Sequence, residues 1–206
     1  MDDGRSHGEP LATAVGVVAA ASAVSLGLFF AVGGPFGTVN DVGNAATGVL
    51  SGCLAWRLRH KLHEDVRTPA IAAAAAGAVV TVVGSALVVS GTTGFLLAGL
   101  VSSVGFAGIG AWLIAVNRPG SEERLDRHRR LGVLAGSLMA LGVIALPAIP
   151  QGIDDMSTAP WWIWVASLGW LGVYVIYPAW AIGLGAATYA PGRTSASTVT
   201  TSRSAE

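Results

Sequence analysis

A single carboxylate stands inside the long apolar runs of this chain. Asp41 belongs to FGTVNDVGNAATGVLSG, a stretch beginning at Phe36. It is the one acid of 12 that falls within an uncharged run long enough to cross a bilayer. At 100° per residue, Asp41, Asn44, Gly48 and Gly52 share one narrow stripe of a helix, flanked by Asn40, Thr47 and Ser51. Val39, Val42, Val49, Leu50 and Cys53 take the remaining surface. Polar and small residues thus occupy one arc, the arc that turns toward other helices rather than toward lipid.

An ionised carboxylate at the bilayer centre costs at least about 2.5–3.5 kcal/mol on insertion scales. Asp41 lies about five residues into its helix, roughly 7–8 Å from the end, so its cost is smaller and water can reduce it further. No Lys or Arg lies within any apolar run to neutralise it. The groups able to answer it are Asn40, Asn44, neighbouring hydroxyls, backbone at Gly33-Gly34-Pro35, water, a cation, or a proton on the carboxyl. One reading makes Asp41, Asn40, Asn44 and Thr47 a ligand- or ion-binding set that opens outward. The other makes them a buried polar cluster that fixes helix packing.

A second stripe, Ser167, Trp170, Tyr174 and Tyr177, recurs at helical spacing near the C-terminus, with Pro178 set to kink that helix. Trp170, Tyr174 and Tyr177 could line an apolar ligand face; the same spacing also suits packing and interface anchoring. Gly48-x-x-x-Gly52 and Gly132-x-x-x-Gly136 permit close helix contact, within one chain or between chains. His60, His63 and Glu64 sit together, but on a basic segment where such residues are ordinarily solvated.

Several chemistries lack their residues. All four histidines (His7, His60, His63 and His128) fall outside the apolar runs, so haem ligation within the membrane and a serine–histidine dyad are not supported. One aspartate cannot form an aspartyl dyad. A single cysteine, Cys53, makes neither an intramolecular disulfide nor a cysteine metal cluster. No phosphate-cradling glycine loop with its lysine is present. No metal, cofactor or catalytic residue is therefore expected, and the zero net charge gives nucleic acid no general attraction.

The elements that must carry these residues follow from composition. Apolar residues make up 52% of the 206, and charged residues only 12%, about half of what a soluble domain carries. The pattern predicts an all-α integral membrane bundle of about six transmembrane helices over 11–186, with spans near 11–32, 36–56, 70–89, 95–116, 131–149 and 161–184. Gly33-Gly34-Pro35 separates the first two, and Thr68-Pro69 reads as cap and first-turn proline of the third. SGTTG at 90–94 divides a run too long for one crossing. Ser121 followed by Glu122 and Glu123 reads as a helix start leading into the fifth span. Residues 1–10 form a cytoplasmic N-terminal segment, and the Ser/Thr-rich 187–206 a disordered cytoplasmic tail.

Charge sets the expected orientation. Arg57, Arg59, Lys61 and Arg67 follow the second span, and Arg118, Arg124, Arg127, Arg129 and Arg130 follow the fourth. The loops after spans one, three and five carry no Lys or Arg. Basic short loops stay cytoplasmic, which places both termini on the cytoplasmic side of the cell membrane. Trp56, Trp112 and Trp180 then fall near the inner interface, with Trp161 and Trp162 near the outer one. The expected partners are the lipid bilayer, anionic headgroups at the basic loops, and a second copy through helix contacts. Two functions fit: a non-catalytic structural or regulatory membrane subunit, and a small transporter or permeation protein for an ion or small solute that uses the polar face of the second helix.

Overall fold

A computed structural model describes residues 9–118 and 126–189. Among these residues every regular element is helical. Helix α1 spans Glu9–Val32 and α2 spans Phe36–Arg57. Between them Gly33 and Gly34 both take positive φ (72° and 71°), a conformation that reverses the chain at little cost without a Cβ. Helix α3 spans Glu64–Val89 and α4 spans Phe95–Val116. Gly91, at φ 69°, ends α3 within the SGTTG turn.

Helix α3 starts earlier than Thr68-Pro69 suggested. Glu64 and Asp65 occupy its first turn, where the helix dipole favours acids, and Pro69 is carried inside the helix near its start. Helix α5 spans Asp126–Ala140 and continues as a tighter 3-10 segment, Leu141–Ala148. Pro147 has no N–H for the carbonyl four residues back, so the α pattern cannot persist there. The helix start expected at Ser121–Glu123 lies outside the described residues.

The last rod is interrupted. It comprises α6 (Trp162–Ser167), α7 (Gly169–Leu171), a π-turn (Gly172–Ile176) and α8 (Tyr177–Tyr189). Pro178 would meet the Tyr174 carbonyl in a regular α-helix, and the π-turn just before it relieves that conflict. Helix α8 runs a few residues past the expected span end; the residues beyond 189, and residues 1–8, lie outside the described residues.

Five of these rods are long and apolar enough to cross a membrane: Pro10–Val32, Glu64–Val89, Phe95–Val116, His128–Ala148 and Trp162–Ala186. Helix α2 has the length, 22 residues, but Asn40, Asp41, Asn44, Thr47 and Ser51 lower its hydropathy. Polar side chains are buried beside an apolar core, and large apolar side chains face outward, the reverse of a soluble surface. Ser22, Asn40, Asn44, Thr47, Ser51 and Thr81 are buried, while Val24, Phe30, Val42, Val79, Val143 and Val175 face outward. That inversion suits lipid as the surrounding solvent.

The helices close a ring. Helix α1 packs on α2 and α8, α2 on α3, α3 on α4, α4 on α5, and α5 on the last rod. Small residues set the approach distances. A Cβ at Gly110 would lie 2.7 Å from the Gly136 carbonyl, and one at Gly136 would lie 2.6 Å from that of Gly110. Gly132 packs on Asn117, while Gly48 and Gly52 pack on Thr81 and Ala78 of α3. Both GxxxG pairs are thus spent on contacts within the chain.

Beneath the middle of the bundle a core of Phe106, Ile109, Trp112, Tyr177 and Trp180 fills the ring. Trp112 and Trp180 are buried and meet edge to face, with centroids 6.2 Å apart, so they are core residues rather than members of an interfacial belt. Trp56 and Trp161 are exposed.

Candidate functional site

Above that core the ring does not fill. A cavity of about 420 Å³ remains, bounded by α1, α2, α3, α4 and the last rod. Its walls are largely apolar, with Leu26, Val88, Leu96 and Leu100 among them. Trp170 packs edge to face on Phe106 (5.9 Å) and stacks on Tyr174 (5.2 Å, 14° between planes), which joins the cavity wall to the core below. At the mouth stand Phe30, Phe95 and Met156, all exposed. Phe30 and Phe95 meet edge to face at 6.2 Å.

One wall is polar. Helix α2 delivers Asn40, Asp41 and Asn44 to the cavity, the last rod delivers Tyr174 and Ser167, and α4 delivers Ser102. A chain of hydrogen bonds runs through this wall. Asn44 Nδ2 donates to Tyr174 Oη (2.9 Å), and the Tyr174 hydroxyl lies 3.0 Å from Asn40 Oδ1 and 3.1 Å from Asn44 Oδ1, either of which can accept its proton. Asn40 Nδ2 in turn donates to Asp41 Oδ1 at 3.4 Å, a long contact. Ser22 of α1 closes the far side by donating to the Asn40 backbone carbonyl (2.9 Å), with the side-chain oxygens of Asn40 and Asn44 each 3.2 Å from its hydroxyl.

Local sequence explains how these groups meet. Gly43 faces Ser22 so closely that a Cβ there would lie 2.8 Å from the serine hydroxyl, which lets α1 and α2 approach. The π-turn carries Tyr174, and π-turns are frequent where a helix presents a side chain for function. The sequence signal for Ser22 was weak: one serine in an alanine- and valine-rich helix, paired with Ser25 three residues on.

No protein-family model, curated protein or solved structure matches this chain. The site must therefore speak through its own geometry.

Of the residues singled out from sequence, Asn40, Asp41, Asn44, Trp170, Tyr174 and Ser167 come together around the cavity. Two do not. Thr47 is fully buried and its hydroxyl donates to the Gly43 carbonyl within its own helix (2.8 Å). Tyr177 is fully buried below the cavity, bonded to Ser51 (2.8 Å) and stacked on Trp180 (5.7 Å). Helical spacing placed Tyr177 on one face with Trp170 and Tyr174, but the π-turn between them changes the rotation per residue.

A loop from Ile149 to Trp161 lies beside the mouth and carries Met156. The Asp154 carboxylate accepts from the N–H groups of Gly94 (2.5 Å) and Leu97 (2.9 Å), capping α4 from another part of the chain. Asp155 accepts from the Ser157 N–H (2.8 Å), and that hydrogen bond holds its carboxyl below the ordinary aspartate range. At the opposite end of the bundle His63 Nδ1 lies 3.2 Å from Asp65, and Arg67 3.9 Å from Glu64, both exposed pairs.

Proposed function

We propose that the protein is a multi-pass protein of the cell membrane that binds a small molecule in this cavity, the binding element of a transporter or permeation protein. The observation that carries the reading is a cavity of about 420 Å³, within the size range of small-molecule sites, whose few polar groups converge from three helices. In this reading α2 is a sixth crossing, sheltered by its neighbours, and both termini lie in the cytoplasm, the orientation that the basic segments at 57–67 and 118–130 favour. The cavity then opens to the outside, and the aromatic core below separates it from the cytoplasm. The role is non-catalytic: binding and passage rather than bond-making.

A second reading is favoured by one observation. Asn40, Asn44, Tyr174 and Ser22 bond to one another, as a network that only holds helices together would. On that reading the protein is a structural or regulatory subunit. Its partners would be lipid and a second copy, with anionic headgroups at the basic segments.

Cysteine labelling separates the two. In a Cys53→Ala background, Ser102→Cys and Ser167→Cys place thiols on the cavity wall, whereas Ser51→Cys places one in the core. Binding in an outward cavity predicts that a small membrane-impermeant thiol reagent applied from outside labels positions 102 and 167 and spares 51. Equal protection of all three positions would leave only the structural reading.

A further inference from the structure

The polar wall holds one carboxylate, and only one of the wall's donors reaches it. The hydrogen bonds of this wall end on Asp41: Asn44 donates to Tyr174, Tyr174 has the side-chain oxygens of Asn40 and Asn44 within 3.0 and 3.1 Å, and Asn40 donates to the carboxylate. An ionised carboxylate offers about four acceptor positions. The described residues supply one donor, at 3.4 Å, and no Lys or Arg lines the cavity. Asp41 is 9% exposed and borders the cavity. Trp170, whose ring is stacked on Tyr174, forms part of the same lining. Aromatic faces attract cations, most strongly where water is scarce. The remaining wall is hydrocarbon.

Resting on the cavity being a binding site, we propose that its ligand is a small organic cation with an apolar body, a primary or secondary ammonium held by Asp41 and the Trp170–Tyr174 pair. Such a molecule supplies the three things this wall lacks or suits. It brings a positive charge to an acid without a counter-ion. It brings N–H donors for the unfilled acceptor positions. Its apolar remainder fills the space between Leu26, Leu96 and Leu100. A bare metal cation would be served poorly, because only one carboxylate is present and most of the lining offers no oxygen. An anion would face the acid with no basic group to hold it.

The test compares phenethylammonium with propylbenzene, its neutral isostere, by calorimetric titration into the protein in lipid nanodiscs, with empty nanodiscs as the blank. The expected result is binding of the ammonium about tenfold or more tighter than the hydrocarbon. Asp41→Asn should erase that preference and leave propylbenzene unchanged. The wild-type comparison decides even if that variant misfolds, because it needs no substitution. Equal affinity of both probes would overturn the cation assignment while leaving the cavity a binding site. Binding of neither probe above the blank would overturn both the cation assignment and the binding reading.

Discussion

Removing one oxygen from Tyr174 and one from Tyr177 should have similar effects on stability, but only the first should weaken binding. Tyr174→Phe deletes a hydroxyl that accepts from Asn44 and can donate to Asn40. Both ends of that contact lose a partner, Asn44 Nδ2 its acceptor and Asn40 Oδ1 its donor, because the Ser22 proton is spent on the Asn40 backbone carbonyl (2.9 Å). A buried donor left unpaired costs about 1–3 kcal/mol. Here the cavity is large enough for water to replace the lost hydroxyl, so the cost falls to about 1 kcal/mol. In Tyr177→Phe, Ser51 already donates its only proton to the Thr47 carbonyl (2.6 Å), so the tyrosine must be the donor in the 2.8 Å contact. Losing it leaves an acceptor unfilled, again worth about 0.6–1.5 kcal/mol. Denaturation in mixed micelles should therefore rank the two variants together. Binding should not. Tyr174 holds the amides that face the ligand, and one hydrogen bond of about 0.5–1.5 kcal/mol corresponds to roughly 2- to 12-fold weaker phenethylammonium binding. Tyr177→Phe should bind as wild type. If Tyr177→Phe weakens binding as much as Tyr174→Phe does, the cavity is not where the ligand sits.

The remaining predictions concern the frame. Gly105→Ala should destabilise the bundle by about 1–3 kcal/mol, because its Cβ would lie 2.6 Å from backbone atoms of Gly77 and Thr81. Gly27→Ala meets nothing within 4 Å and should be neutral or stabilising, and the same denaturation experiment reads both. Asp154→Ala removes the cap on α4 and should cost about 0.5–2 kcal/mol, with faster amide exchange at Gly94 and Leu97. The Asp155–Ser157 turn titrates with a carboxyl whose folded pKa is depressed, so its support is present above the ordinary aspartate value of about 3.9 and is lost as pH falls through the lower folded value. An NMR titration of the Ser157 amide should show that midpoint below the ordinary value, and a midpoint above it would contradict the hydrogen bond.

Much of this molecule was legible before any coordinates. Runs near 20 residues and the Gly33-Gly34-Pro35 and SGTTG breaks located the rods, since crossing length and turn chemistry are local properties. The polar arc of α2 was legible for the same reason, because its helix is regular from Phe36 to Arg57. Val39, Val42, Val49 and Cys53 do face outward. What sequence withheld was the partner of each face. Ser22 gains its meaning only from Gly43 lying against it. Tyr174 and Tyr177 part company because a π-turn, itself a response to Pro178, breaks the even rotation that a helical projection assumes. Trp112 and Trp180 carried the composition of an interfacial belt yet pack together inside. The start of α3 at Glu64 shows two acids in a first turn outweighing the pull of Thr68-Pro69 as a start signal.

The account depends on the polar face of α2 bordering an open, hydrated space rather than a sealed seam. Water-edited solid-state NMR of the protein in bilayers measures this directly, through transfer of magnetisation from mobile water to named side chains. The prediction is that the side-chain amides of Asn40 and Asn44 receive it nearly as fast as residues of the 149–161 loop, while Thr47 and Ser51 lag far behind. Equally slow transfer to all four of these α2 residues would contradict the account.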